Sequence, residues 1–474
     1  MSKIFLLGTG PLLEDGARIM SGQCLRTWHF AAPLIEAKHE VTMMTVPIPG
    51  ATRDEAEPPT ERAAFRDRVY TKLLSNDPAR ILSVIAREIA DVKPDAIVGV
   101  NAFPAFLLAK LNLEIPFWAD LNGWTMAEGM TRAAVVGHDR DFGHFWRMEA
   151  QTLLAADRFS TVTERQAYAL YGELAMIGRL DESNFAEDFA CAVPNAVYPD
   201  YASLKRSPGV PEFLRGKLPD DAAICLWSGG FNTWTDVDLL TRALANAMAQ
   251  EPRLHFVSTG GAVHGHDEST YEKFTRLAAE RLPAGRSHQL GWVDFPQVLD
   301  LHACAHVGIN IDGDNVETRF GARNRLTNML GAGTPVLTTQ GTEIAKWIED
   351  NEAGAVTPQD ASFIARGIGG SIRMAEAWEA RAAGARDLAM RDFAAQYTLI
   401  KFLEWAAAPH RAPRSAAPHS ATKNLRGWVQ DRCAEPVPFS APIGPAPHNP
   451  AFPAAGRRAR IFKFIRSLTG GRRP

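Results

Sequence analysis

One pattern runs through this chain twice: a short, continuously apolar run, a loop, then a helical stretch. In the first pass the runs are KIFLLGT, EVTMMTVP, PDAIVGVNA, IPFWADLN and RFSTVTE, with helical segments such as SGQCLRTWHFAAPLIEAKH between them. After CAVPNAVYPDYASLKRSPGVPEF the pattern restarts with AAICLWSGGF, RLHFVSTGG, RSHQLGW, HVGINID, TPVLTT and GAVTP. Strands that are apolar on both faces and alternate with helices belong to parallel sheets covered on both sides. The expectation is α/β: two doubly wound domains, 1–205 and 206–406, facing a cleft. The helical segment Asp360–Ala408 is expected to close the second domain. Ligands in such sheets sit beyond the carboxyl ends of the strands.

Composition narrows the class. Hydrophobic residues make up 46% and charged residues 22% of 474, ordinary values for a globular protein. Five cysteines, widely spaced and without a CxxC, argue against a disulfide scaffold or a zinc site and suit a reducing cytoplasm. The amino terminus lacks a signal-peptide layout and no apolar run is long enough to span a bilayer. A cytoplasmic protein is expected, with no metal and no nucleic-acid partner. Residues 407–474 are rich in Pro, Ala, Arg and His and read as a mostly disordered tail. The exception is 457–469, where Ile461, Phe464, Ile465 and Leu468 recur at helical spacing among arginines and Lys463. That basic amphipathic helix either lies peripherally on an anionic membrane face or docks on protein.

The densest chemistry lies in NVETRFGARNRLTNMLGAGTPVLTT, from residue 315. Leu326, Met329 and Leu330 share a helical face, capped by Gly331 or Gly333, and TPVLTT is the next strand. Glu317 and Arg319 then fall in the loop at the carboxyl edge of the sheet. Arg323 and Arg325 fall near a helix N-terminus, where anions are already favoured and guanidinium forks suit phosphate. Glu317 and Asn328 can accept hydrogen bonds from sugar hydroxyls. The ordinary alternative is that these arginines are surface ion pairs with Glu317, Asp312 and Asp314.

ETRFGARNRLTNMLGAGTPVLTTQG resembles the donor-site segment of retaining GT-B glycosyltransferases, in the large bacterial family (glycosyltransferase group 1 type) that includes sucrose synthase. The resemblance implies a GT-B fold, two Rossmann-like domains, with a nucleotide-diphosphate sugar bound on the second and the acceptor on the first. It implies catalytic roles for Glu317, Arg319 and Arg323. Asn328 stands where the family carries an acidic residue for the ribose, and Phe320 falls at the earlier glutamate position, for which Glu317 substitutes. LWSGGFNTW resembles the first donor loop, with Gly229, Gly230 and Asn232 near the diphosphate. The family's phosphate-binding Arg and Lys are missing from it, leaving the charge to Arg319, Arg323 or Arg325. FVSTGGAVHG adds Gly260 and Gly261 beside the nucleotide. QLGWVDFPQVL resembles the base-binding stretch, with Trp292 and Val293. In the first domain, Gly16, Arg26, Asp120, Asn122 and Trp124 are the implied acceptor residues. His29 is read as core packing.

The resemblance further implies transfer with retention, without a metal or a resident cofactor, to a glycan or lipid-linked acceptor, as in bacterial surface polysaccharide synthesis. Two alternatives stay open: a sugar-nucleotide-processing enzyme on the same fold, and a degenerate module that binds nucleotide or glycan without activity. GTGPLLEDGAR lacks the third glycine of a dinucleotide fingerprint. HGHDE at 264–268 does not have a defined metal-ligand spacing, and DGD at 312–314 reads as a loop.

Overall fold

The computed structural model describes residues 1–12, 21–47, 60–65, 68–75, 77–262, 267–415 and 420–434. Gly16 and the amphipathic segment 457–469 lie outside these residues, as does most of HGHDE.

The apolar runs become two sheets. The first holds β1 (Lys3–Gly10), β2 (Glu40–Pro47), β3 (Thr60–Phe65), β4 (Arg68–Leu73), β5 (Ala96–Val100), β6 (Phe117–Leu121), β7 (Arg158–Thr161) and β8 (Ala190–Ala192), in the order β3-β4-β2-β1-β5-β6-β7-β8. The second holds β9 (Ala223–Trp227), β10 (Leu254–Ser258), β11 (Ser287–Gln289), β12 (Val307–Asn310), β13 (Val336–Thr339) and β14 (Ala355–Thr357), in the order β11-β10-β9-β12-β13-β14. Every pairing is parallel except β3 on β4, an antiparallel edge hairpin that the pattern of apolar runs does not predict. Each order reverses once in the middle, at β1/β5 and at β9/β12. Those switch points open the crevices in which doubly wound sheets bind ligands.

Both sheets are buried on two faces. β5, β6, β9 and β10 are buried at every position, which is why their sequences read as unbroken apolar runs. The helix Asn324–Ala332 ends as its sequence predicts, with Gly333 at φ 70 and the Thr334 N–H returning 2.9 Å to the Met329 carbonyl. A left-handed glycine after the last turn satisfies carbonyls that would otherwise be stranded.

The closing helices do not all stay with the second sheet. The helix Ile400–Ala407 packs on the first, where Phe402 meets Trp118 with ring centroids 5.1 Å apart and Phe30 at 4.9 Å. The chain therefore crosses between sheets twice, at about 193–206 and again near Phe393–Leu399. The Val197 N–H donates to the Phe393 carbonyl at 2.8 Å, joining the two crossings. The stretch read as a tail also contains a helix, Ser420–Ala434, whose buried residues are Val429 and Cys433. It lies against the helix Phe142–Ala155, and Arg426 bonds Asp181 at 2.6 Å. Leu425, Trp428, Val429 and Cys433 do recur at helical spacing, but the Pro-, Ala- and Arg-rich composition around them hid the helix.

Phe402→Ala should destabilise the protein by about 3–5 kcal/mol, the cost of emptying a buried phenylalanine site. Urea unfolding measures it; a loss below about 1 kcal/mol would mean that the helix is only loosely attached.

Candidate functional site

The carboxyl edge of the second sheet, at the β9/β12 switch point, gathers most of the donor residues. Asp312 follows β12. Asn315 caps the short helix Val316–Phe320 by accepting from the Thr318 N–H at 2.9 Å, and this turns Glu317 inward. Arg323 joins the two carboxylates. Its Nε donates to Asp312 Oδ2 at 2.8 Å, and Nη1 and Nη2 donate to the two Glu317 oxygens at 3.0 and 2.7 Å. The Trp234 ring lies 5.0 Å from its guanidinium carbon. All three charged groups are buried. Burial pushes the Glu317 carboxyl up and Arg323 opposes it, while Asp312 and Glu317 hold the Arg323 guanidinium charged.

The arginines thus divide into three kinds. Arg323 is saturated by two carboxylates and acts as a clamp, not as an open phosphate ligand. Arg319 is exposed and pairs with Asp314 at 3.0 Å, away from the buried cluster. Arg325 lies 3.9 Å over the Trp227 ring and donates from Nη2 to the Gly230 carbonyl at 2.6 Å. Its Nη1 is buried without a hydrogen-bond partner among the described residues, and burial brings its pKa down to about 9.

The two glycine turns meet. Gly229 and Gly260 have φ of 97 and 73, and a Cβ on Gly260 would stand 2.4 Å from the Gly229 carbonyl carbon. Only glycine permits both the left-handed backbone and that approach. Gly261 accepts from the Phe231 N–H at 3.1 Å, and Asn232 accepts through its backbone carbonyl from the Thr235 N–H at 2.8 Å. Trp292 Nε1 donates to the Ala262 carbonyl at 3.3 Å, and Val293 beside it is half-buried. Asn328 is turned elsewhere: its Oδ1 accepts from the Tyr198 N–H at 3.3 Å, so its amide oxygen fastens the linker between the sheets.

On the first sheet two acceptor candidates are corrected. Arg26 and Asp120 are fully buried and form a two-pronged pair, at 3.0 and 2.7 Å. Asp120 also accepts from Ser160 at 2.7 Å, and Arg26 Nη1 donates to the Val193 carbonyl at 2.7 Å. The pair secures the strand end and the linker and leaves nothing for a ligand. Asn122 is half-buried and donates to Asn101 Oδ1 at 2.9 Å. Trp124 donates to Glu173 at 2.7 Å and meets Phe320 of the second sheet's short helix edge-on at 4.8 Å. His29 is buried with neither ring nitrogen hydrogen-bonded among the described residues, and burial lowers its pKa to about 3; it is a core residue, as read.

The walls of the cleft touch. Thr131 and Thr233 hydroxyls are 2.8 Å apart, Thr163 donates to the Phe320 carbonyl at 2.7 Å, and Glu343 accepts from the Arg165 N–H at 2.7 Å. A carboxyl that sequence reasoning missed sits at this junction. Glu128, on the helix Thr125–Val136, faces Glu317 and Arg323; burial, then the Glu317 charge, raise its pKa to about 8. Behind it, burial raises Glu173 to about 7, and burial with the Glu173 charge raises Glu149. A helix glutamate bears no mark in sequence that distinguishes it from a solvated one.

Two doubly wound Rossmann-like domains facing a cleft constitute a GT-B fold. Among solved structures, the chain is similar to a sucrose-phosphate synthase from Thermosynechococcus elongatus, at 15% identity and a TM-score of 0.63, over 86% of this chain and 98% of that one. It is similar to Anabaena HepE in complex with UDP-glucose, at 14% identity and 0.59, over 86% and 100%. It is similar also to a UDP-forming trehalose-phosphate synthase from Burkholderia xenovorans in complex with glucose-6-phosphate, at 13% and 0.63, over 86% and 100%. No protein-family model matches the sequence, and no curated protein matches it.

Two outcomes test the site's energetics. Arg323→Met should cost about 3–5 kcal/mol in chemical denaturation, because it strands two buried carboxylates. Glu128 titrates at about 8 when folded against an ordinary 4.5, so between those values the folded state holds the extra proton and stability falls as pH rises. Glu128→Gln should remove that slope. Its melting temperature relative to wild type should rise from pH 5 to pH 8.5; a constant offset would mean that Glu128 is solvated.

Proposed function

We propose that this chain is a glycosyltransferase that moves a sugar from a nucleotide-diphosphate donor to an acceptor held on the first sheet. The observation that carries the reading is Arg325. A guanidinium fixed by Trp227 and the Gly230 carbonyl, with a buried Nη1 that has no partner among the described residues, beside a left-handed glycine turn, is arranged for an anion. It stands at the switch point where such sheets bind nucleotides. The fold is shared with HepE, solved in complex with UDP-glucose, and with a UDP-forming trehalose-phosphate synthase.

In this reading the glycine turns bring backbone N–H groups to the diphosphate, and Arg325, still a cation at neutral pH, stabilises the charge that develops on it as the glycosidic bond breaks. Fixed charges aimed at a developing anion are the usual main source of such catalysis. Glu317, held by Arg323, and Glu128, protonated near neutral pH, line the sugar pocket between the sheets, one accepting and the other donating hydrogen bonds. Asn122 and Trp124 remain the acceptor wall. Transfer proceeds with retention and without a metal or resident cofactor, at the cytoplasmic membrane face, to a glycan or lipid-linked acceptor of surface polysaccharide synthesis. The basic segment 457–469 supplies peripheral membrane contact. Among the described residues no helix is long and apolar enough to cross a membrane.

The test is a thermal-shift panel of UDP-, GDP-, ADP- and dTDP-sugars. A ligand at a hundred times its dissociation constant stabilises by about 2.7 kcal/mol. One nucleotide class should raise the melting temperature, and Arg325→Ala should abolish that shift while leaving the unliganded protein folded. No shift with any donor would refute the reading.

A further inference from the structure

A buried chain of three side chains runs from the linker to the first glycine turn. Tyr201, in the short 3-10 turn Pro199–Ser203, places its hydroxyl 2.9 Å from His302 Nδ1, and His302 Nε2 lies 2.8 Å from Ser228 Oγ. The Tyr201 and His302 rings stack at 5.5 Å, and both residues are 1% exposed. Ser228 directly follows β9 and precedes Gly229 and Gly230.

The direction of these hydrogen bonds follows from counting protons. Burial, with Arg206 nearby, lowers the His302 pKa to about 3, so the ring is neutral and carries one N–H. Burial pushes the Tyr201 phenol up, so its proton stays on. Among the described residues His302 is the one hydrogen-bond partner of the Tyr201 hydroxyl, and a buried O–H that donated nothing would forfeit about 1–3 kcal/mol. Tyr201 therefore donates to Nδ1. The ring proton then resides on Nε2 and donates to Ser228 Oγ. Ser228 cannot donate back to the nitrogen that donates to it, and its own proton is left for another acceptor. A neutral imidazole read in this way sets the role of whatever its second nitrogen touches.

We infer that Ser228 is a hydrogen-bond donor to an anionic oxygen at the Gly229–Gly230 turn, held in that role by Tyr201 and His302. The inference rests on the proposed function and specifies its anion site, in which the donor loop contains neither lysine nor arginine of its own. Ser228 and Arg325 then approach the same diphosphate from the end of β9 and from the helix Asn324–Ala332. Tyr201 is a positioning residue: remote from the ligand, it fixes which way a hydroxyl points. Without its O–H, the imidazole is free to adopt the other tautomer, in which Ser228 donates to Nε2 and presents only lone pairs to the anion.

The experiment is calorimetric titration of full-length wild type, Ser228→Ala and Tyr201→Phe with UDP, GDP, ADP and dTDP, each beside its nucleoside. The Kd for the diphosphate that wild type binds should rise about tenfold or more in Ser228→Ala, the weight of a hydrogen bond to a charged group. It should rise several-fold in Tyr201→Phe, a variant that leaves the glycine turn untouched. Binding of the matching nucleoside should not change in either variant, whereas a general loosening would weaken nucleoside and diphosphate alike. Wild-type diphosphate affinity in both variants, or equal loss of nucleoside and diphosphate, would overturn the inference while sparing the proposed function. Failure of wild type to bind any of the four diphosphates would overturn both.

Discussion

The interaction on which the second half of the molecule depends is the Arg323 fork. Two carboxylates and a guanidinium, all buried, meet at the end of β12. None of the three is tolerable there alone, because an unpaired buried charge costs several kcal/mol. Together they fix the short helix Val316–Phe320, and through it Phe320, whose ring and carbonyl reach Trp124 and Thr163 of the first sheet. The fork leaves a negative excess, since Arg323 is one cation for two anions. Glu128 approaches that excess from across the cleft, and its proton removes a third negative charge from the junction.

The fold was largely legible in the sequence because most of its strands are covered on both faces, and full burial writes itself as an unbroken apolar run. Each exception has its own physical cause. β3 and β4, TERAAF and RVYTKL, form an edge hairpin whose charged residues face solvent, so neither strand reads as apolar. β8 has only three residues. The helix Ser420–Ala434 is held by contacts made far along the chain, among them Trp428 against Trp146 and the Arg426–Asp181 pair.

The site was legible in outline and misread in detail. Glycines announce tight backbone, but that the two turns touch is set by tertiary geometry. The three arginines were visible as a group, but what separates a clamp from an open ligand is which carboxylate each one reaches, and that is set by tertiary geometry. Arg26 and Asp120 are 94 residues apart; no local pattern tells a ligand-facing pair from a mutually satisfied one. Ser228, His302 and Tyr201 were missed for the same reason, since their relation exists only once β9, the helix Phe295–Cys304 and the linker have assembled.

The double crossing between the sheets has a mechanical consequence. Two rigid bodies joined by one tether can swivel in every direction; joined by two tethers that are themselves bonded, Val197 to Phe393, they retain chiefly rotation about the line through both, as a door does on a pair of pins. An opening of the cleft would then follow one arc, and its closure would return Phe320 to Trp124 and Thr233 to Thr131 in the same register. A proteolytic cut in either tether alone would leave the halves attached while freeing the other directions of motion.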